Sequence, residues 1–210
     1  DGDTTDSRSW ILGDILHSRP LVVNYGARGS YSNSNPDIRI LAGTNAGFFH
    51  MFENQTGSES WAFLPRELMP ILSERRKNRV SSEKIYGVDG SATIYTVDKS
   101  NDGTINPAEG DKVWVFFGLR RGGSSYYGLD ISDPDSPKLL WSANPSSNGF
   151  SELGQTWSPP IVSAVPGHNN ADGSARPVLI FGAGYDINKD SRGLATPDVS
   201  GRGIFVVDAE

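Results

Sequence analysis

The strongest constraint on the fold is an internal repeat. Three stretches that each open a predicted strand recur along the chain: Ser18-Arg19-Pro20, Gly90-Ser91-Ala92 and Ser158-Pro159-Pro160. Their last residues lie 72 and 68 residues apart. Self-similarity at a nearly fixed period indicates a fold assembled from repeated supersecondary units.

Each repeat predicts a small antiparallel sheet of short strands. A second strand ends in glycine, a third is rich in aromatic residues, and in the first two units a fourth carries Trp61 or Trp141. The 24 glycines and 13 prolines divide the apolar residues into short bursts, which favours strands joined by turns. We predict strands at 21–23, 38–41, 48–52, 61–63, 93–97, 113–117, 126–129, 139–141, 161–162, 178–181 and 204–207.

Repeated four-stranded antiparallel units are typical of β-propeller blades. The sequence therefore predicts an all-β chain that forms part of a single propeller domain, with the third blade incomplete. The alternative is a β-sandwich in which the spacing is coincidental. The predicted blades are 14–64, 86–144 and 156–210.

One stretch departs from the strand pattern and predicts a short helical insertion at 65–78. Leu68, Ile71 and Leu72 recur about one helical turn apart. Pro70 is expected to bend or shorten this helix, because proline removes a backbone donor and clashes with the preceding turn.

The segment 98–109, between the first two strands of the second unit, matches the twelve-residue calcium-binding loop pattern. Ca²⁺ takes six to eight oxygen ligands, and a short loop can surround it only by turning sharply at a glycine, here Gly103. The flanks read as strands and Pro107 follows the ninth position, so the loop resembles an EF-hand in its ligands but not in its framework. The predicted ligands are the side chains of Asp98, Ser100 and Asp102, the Thr104 carbonyl, Asn106 directly or through water, and Glu109 as the least certain, bidentate ligand.

Three alternatives to this site stay open at the sequence level. The loop could be an ordinary solvated Asp/Asn/Gly turn that binds nothing. The stretch 186–190 is a weaker metal candidate, with oxygen-bearing side chains at alternate positions but Ser191 where the pattern has glycine. The turn Arg120-Arg121-Gly122-Gly123 could hold an anion, or could serve as a backbone reversal whose arginines contact a neighbouring unit.

Composition excludes several function classes. The absence of cysteine rules out disulfides and thiolate metal sites, and a net charge of −6 argues against binding to nucleic acid. No apolar run is long enough to span a membrane. No nucleophile elbow, zinc-protease motif or phosphate-binding loop occurs, so we do not expect an enzyme. The first residues carry no signal peptide, and we expect any targeting signal to lie upstream.

Several stretches, in order and over nearly the whole chain, resemble the C-terminal propeller domain of the PilC/PilY family of type IV pilus tip and biogenesis proteins. They include 13–20, 61–68, 86–91, 118–123, 126–130, 152–158 and 181–186. The resemblance implies a modified seven-bladed propeller in a larger protein of the periplasm, outer membrane, cell surface or pilus tip. It further implies a role in fimbrium biogenesis, cell adhesion and twitching motility. The expected partners are pilins or minor pilins and, beyond these, a host surface receptor.

The resemblance also implies an EF-like calcium site whose occupancy governs pilus extension against retraction. Asp98, Ser100, Asp102, Thr104 and Asn106 fall on the matching positions, with asparagine at the ninth position where an acidic residue is usual. Two other interpretations remain. One is a fragment of a quinoprotein dehydrogenase propeller, since 41–52 is similar to that repeat too. The other is a purely structural interaction propeller.

Overall fold

The computed structural model describes residues 12–77, 82–191 and 196–210. In these ranges eleven strands form three antiparallel sheets, and the strands of each sheet pair in sequence order. The first sheet comprises β1 (Leu21–Asn24), β2 (Ile38–Gly43), β3 (Phe49–Glu53) and β4 (Glu59–Phe63). The second comprises β5 (Ala92–Val97), β6 (Lys112–Gly118), β7 (Tyr126–Asp130) and β8 (Lys138–Ala143), and the third β9 (Ile161–Asn169), β10 (Ala175–Gly182) and β11 (Ile204–Asp208).

The all-β architecture agrees with the prediction, and every predicted strand has a counterpart. The largest difference is β9, which was predicted over two residues and extends to Asn169. It continues because its backbone pairs with β10 beyond a bulge, as far as the Asn169 and Ala175 pair. The described residues do not close a ring of sheets, so the propeller itself stays a prediction.

The helical insertion is shorter than predicted. A 3₁₀ turn at Arg66–Leu68 leads into the helix α1 (Met69–Lys77), and the predicted end at Asn78 lies outside the described residues. Pro70 is the second residue of α1, where its missing amide has no intrahelical partner, and the α-helix starts only at Met69, which agrees with the prediction that Pro70 bends or shortens the helix. No helix in the described ranges is long and apolar enough to cross a membrane.

The hydrophobic cores lie between the sheets, and the central strand β6 contributes to both cores. Val113, Val115 and Phe117 pack in the core shared with the first sheet. Trp114 and Phe116 pack in the core shared with the third. Because successive side chains of a strand point to opposite faces, this division requires the second sheet to be covered on both sides. We call the contact surface between the first and second sheets the first seam and that between the second and third sheets the second seam.

The same contacts recur at both seams. The Trp61 indole N–H donates to the Pro134 carbonyl at 2.9 Å, and the Trp141 indole N–H donates to the Ala209 carbonyl at 3.1 Å. Aromatic pairs repeat in the same way, with ring centroids 4.3 Å apart for Phe49 and Phe117 and 4.2 Å apart for Tyr126 and Phe181. The sequence repeat therefore corresponds to a repeated packing of one sheet against the next.

In the first two sheets, the glycine that ends the second strand also has a packing role. An added Cβ at Gly43 would lie 2.5 Å from the Val88 carbonyl oxygen. The segment that enters the next unit crosses the end of β6 so closely that an added Cβ at Gly118 would lie 2.7 Å from Thr156 Oγ1. The Thr156 hydroxyl oxygen accepts hydrogen bonds there from the Leu119 amide, at 2.8 Å, and the Arg120 amide, at 3.3 Å. At Gly182, the equivalent position in the third sheet, the nearest atom to an added Cβ is 3.7 Å away.

We therefore expect Gly118→Ala to lower the free energy of unfolding by about 1–3 kcal/mol, the usual cost of overpacking a core. Gly182→Ala is the matched control, because it makes the same change where space is available. It should shift stability by less than about 1 kcal/mol in either direction. Urea denaturation of both variants measures the difference, and equal effects would contradict the close crossing at Gly118.

Candidate metal centre

The predicted calcium ligands lie in one surface loop of the second sheet. The loop begins at Asp98, directly after β5, and runs to Asp111, directly before β6. Its second half contains a 3₁₀ turn at Pro107–Glu109, followed by Gly110 in the left-handed conformation. The strand flanks agree with the prediction that the loop lacks the helical framework of an EF-hand.

The first half of the loop is folded around the Asp98 carboxylate. Oδ1 accepts hydrogen bonds from the Asn101 amide at 2.7 Å and the Ser100 hydroxyl at 3.1 Å, and Oδ2 accepts one from the Gly103 amide at 2.8 Å. The sharp turn uses positive φ angles of 55° at Asn101 and 80° at Gly103. The hydrogen bond from Gly103, helped by those from Asn101 and Ser100, lowers the pKa of Asp98 below its ordinary value. The carboxylate is therefore ionised at neutral pH.

The neighbouring oxygens suit a hard cation. Asp102 Oδ1 accepts a hydrogen bond from the Thr104 amide at 2.8 Å. Within the described ranges, no hydrogen bond is made to the Thr104 carbonyl oxygen. Carboxylate, hydroxyl and backbone carbonyl oxygens are the ligands that Ca²⁺ takes in proteins. The donor types at Asp98, Ser100, Asp102 and Thr104 therefore fit the predicted metal.

The second half of the loop forms a separate cluster. Asn106 Oδ1 accepts a hydrogen bond from the Ala108 amide at 3.1 Å and so caps the 3₁₀ turn. Its Nδ2 donates to Glu109 Oε1 at 2.7 Å. Across the described ranges no three histidine, aspartate or glutamate side chains converge on one metal position, so Glu109 does not join Asp98 and Asp102. Its role as a ligand stays a prediction.

The twelve-residue pattern ends before Asp111, which organises the loop from inside. Asp111 is 3% exposed, and its two carboxylate oxygens accept hydrogen bonds from the Lys99 and Asn106 amides, each at 2.8 Å. It thereby joins the two halves of the loop. Its position between a turn and a strand gave no signal in the sequence, because its role depends on the folded backbone.

The loop is also attached to the first sheet. The Ile105 amide donates to the Tyr25 carbonyl at 3.0 Å, and the Ile105 side chain is buried in the shared core. The Tyr25 hydroxyl donates to the Ile131 carbonyl of the second sheet's β7–β8 connection at 2.7 Å. Gly26, which follows Tyr25, approaches the loop so closely that an added Cβ would lie 2.1 Å from the Gly103 carbonyl oxygen.

Charged groups extend this attachment. Arg28 Nη1 lies 3.4 Å from carboxylate oxygens of both Asp37 and Asp135. Asp37 is fully buried and also receives the Arg39 guanidinium, with Nε 2.5 Å from Oδ1 and Nη2 3.0 Å from Oδ2. The segment that contains Arg28, beside the candidate calcium loop, is therefore held by ion pairs to the β7–β8 turn of the second sheet.

The weaker metal candidate, 186–190, uses its oxygens for other contacts. The Asp186 carboxylate accepts hydrogen bonds from the amides of Asn188, Val199 and Ser200 at 2.6–3.1 Å. Asp190 forms an ion pair with Arg121 from the second sheet and accepts a hydrogen bond from the Tyr185 hydroxyl at 2.8 Å. These contacts shape a long connection and favour the structural interpretation of this segment.

The fold and the loop define a domain of stacked antiparallel sheets with a candidate cation site. No protein-family model matches the chain. It is 30% identical over 213 residues, 91% of its length, to the type IV pilus biogenesis factor PilY1 of Pseudomonas aeruginosa strain UCBPP-PA14, and 31% identical over 172 residues, 74% of its length, to a PilY1 homologue of Xylella fastidiosa. The chain belongs to the PilC/PilY family, as its sequence motifs indicate.

The match covers only part of these relatives, 17% of the Pseudomonas protein and 13% of the Xylella protein. Among solved structures, the crystal structure of the Pseudomonas aeruginosa PilY1 C-terminal domain is similar to the chain. The sequence identity is 26% and the TM-score 0.47, with 70% of this chain and 25% of that chain covered.

The approach of Gly26 to the loop generates a test. Gly26→Ala places a methyl group against the Gly103 carbonyl, and we expect it to push the loop away and break the Ile105 to Tyr25 hydrogen bond. Gly29→Ala is the control, because Gly29 also has a positive φ, 58° against 76°, but has no atom within 4 Å of an added Cβ.

Both variants carry the cost of a left-handed alanine, about 1–2 kcal/mol. Gly26→Ala should lose about 1–3 kcal/mol more from the steric clash. It should also accelerate hydrogen exchange at the Ile105 amide, which Gly29→Ala should leave unchanged. Equal stability losses, with protected Ile105 amides in both variants, would show that the loop does not depend on this contact.

Proposed function

We propose that the chain is a non-catalytic, calcium-binding propeller portion of a type IV pilus biogenesis and adhesion factor, in which calcium occupancy regulates pilus extension against retraction. Membership of the PilC/PilY family supports the pilus context. The observation that carries the calcium proposal is the sharp turn of the loop around an ionised Asp98, with Ser100 and Asp102 beside it and a free Thr104 carbonyl.

The proposed ligands follow from the loop. The side chains of Asp98, Ser100 and Asp102 and the carbonyl of Thr104 supply the first oxygens, Asn106 adds one directly or through water, and Glu109 completes the sphere if its contact with Asn106 opens. With at most three carboxylates, we expect a dissociation constant of about 10⁻⁴–10⁻³ M or somewhat tighter, the range of extracellular calcium modules.

Calcium would change the mechanics of the first seam. A bound cation neutralises the Asp98 and Asp102 carboxylates and fixes the turn between them. Since Ile105 ties this turn to Tyr25, and Asp111 ties it to the start of β6, a rigid loop would hold the first and second sheets in one arrangement. We propose that this arrangement determines how the domain engages the pilus machinery.

The partners we propose are pilins or minor pilins and a host surface receptor. The location we propose is the periplasm, the outer membrane, the cell surface or the pilus tip. These proposals rest on the family resemblance, not on a contact surface in this chain. In this setting the domain would support fimbrium biogenesis, adhesion and twitching motility.

The calcium site is tested by thermal unfolding in EDTA and across a calcium titration. A cation that binds only the folded state adds about 2.7 kcal/mol of stability at 100 times its dissociation constant. We expect a saturable rise in the midpoint that is lost in the double variant Asp98→Asn, Asp102→Asn. Asp198→Asn is the control, because Asp198 pairs with Lys189 in the β10–β11 connection of the third sheet, outside the loop. The absence of a rise in a folded protein would reduce the loop to an ordinary turn.

The regulatory proposal is tested in cells with a functional type IV pilus system. The variant Asp98→Ala, Asp102→Ala should alter the balance between extended and retracted pili, scored by surface pilin and by twitching zones, whereas Asp198→Asn should not. If the protein has lost the metal but extension and retraction are unchanged, calcium occupancy does not regulate them.

A further inference from the structure

A cavity of about 640 Å³ lies where the three repeated units begin. Its wall includes Leu16, His17 and Arg19 from the entry to the first sheet, Arg120 from the second, and Trp157 from the entry to the third. The cavity is separate from the calcium loop, which lies at the far end of β5. Its volume is within the range of small-molecule sites in proteins.

Arg120 is held rigidly at this cavity. Its backbone has a φ of +52°, unusual for a residue other than glycine, and its guanidinium lies 4.3 Å from the centroid of the Trp157 ring. Its Nη1 is 3.2 Å from Asp89 Oδ2 and 2.9 Å from His17 Nδ1. Nε and Nη2 form no hydrogen bond with any of the described residues. A residue with a strained backbone is a frequent feature of functional sites. Arg120 combines such a backbone with hydrogen-bond donors that are not engaged by the described residues.

Two arginines, Arg19 and Arg120, line the cavity although the chain is acidic overall. Asp89, which pairs with Arg120, is 1% exposed and is not a lining residue. A cationic, partly enclosed wall on a protein of net charge −6 favours the entry of an anion.

Only part of the Arg120-Arg121-Gly122-Gly123 turn is suited to an anion. Arg121 is occupied by a bidentate ion pair with Asp190 across the second seam. Gly122 packs directly on the segment that precedes β5, since an added Cβ would lie 1.8 Å from the Gly87 carbonyl oxygen. The glycines therefore serve close packing, and Arg120 is the member of the turn that faces the cavity.

We propose that this cavity binds a small organic carboxylate. The free Nε and Nη2 edge of Arg120 presents two parallel donors, the geometry that matches the two oxygens of a carboxylate. Arg19 supplies a second positive charge, and Leu16, Leu21 and Pro159 form an apolar wall for the body of the ligand. The site requires both parts, a planar anion and an apolar group attached to it.

The test is isothermal titration of the full chain with benzoate as the probe. Benzamide has the same shape without the charge, and inorganic phosphate has the charge without the apolar body. We expect saturable binding of benzoate, at least about tenfold tighter than that of benzamide, which lacks the charge-assisted pair of hydrogen bonds. We expect a similar margin over phosphate, which lacks the apolar group that would cover the cavity wall.

The variants identify the residue responsible. Arg120→Gln should weaken benzoate binding by about tenfold or more, because it removes the two charge-assisted hydrogen bonds from Arg120. Arg202→Gln is the control, because Arg202 pairs with Glu152 and does not line the cavity, and it should leave binding unchanged. If Arg120→Gln fails to fold by near-ultraviolet circular dichroism, Arg19→Gln, an exposed position, takes its place with the same expected direction. No saturable binding of benzoate, equal binding of phosphate, or equal losses in the Arg202→Gln control would overturn the proposal.

Discussion

Burial of the second sheet on both faces is the constraint on which the rest of the structure depends. Its central strand β6 is apolar along nearly its whole length, and alternate side chains enter different cores. Such a strand is stable only between two other layers, so a sheet must cover each face. The first and third sheets supply those layers, and the repeated tryptophan and aromatic contacts set their position against the second.

The candidate calcium loop takes part in the packing between the first and second sheets. Ile105, the apolar residue of the loop, is buried in the core between the first and second sheets, and its amide pairs with Tyr25. The loop thus has one side in a seam and its oxygen-rich side at the surface. A change in the order of the loop would therefore alter the contact between the first and second sheets without any change in the strands themselves.

Local patterns were sufficient to predict most of the strands. The apolar runs of β6 and β7 and the turn residues around them predict both strands, and the candidate ligands of the loop were proposed from spacing alone. Contacts between distant segments were not predictable. The extension of β9 to Asn169 depends on pairing with β10, and Asp111 acts by accepting two amides that only the folded loop brings together. That the segment before Met69 forms a 3₁₀ turn, so that α1 starts next to Pro70, was also not specified by the helical spacing.

The two indole hydrogen bonds give each seam its own spectroscopic reporter. Trp61 donates across the first seam and Trp141 across the second, so the two indole ¹⁵N–¹H resonances should respond independently to separation of the sheets. Because Ile105 attaches the candidate calcium loop to the first of these seams, the pair of resonances can distinguish a rearrangement there from loosening of the whole stack.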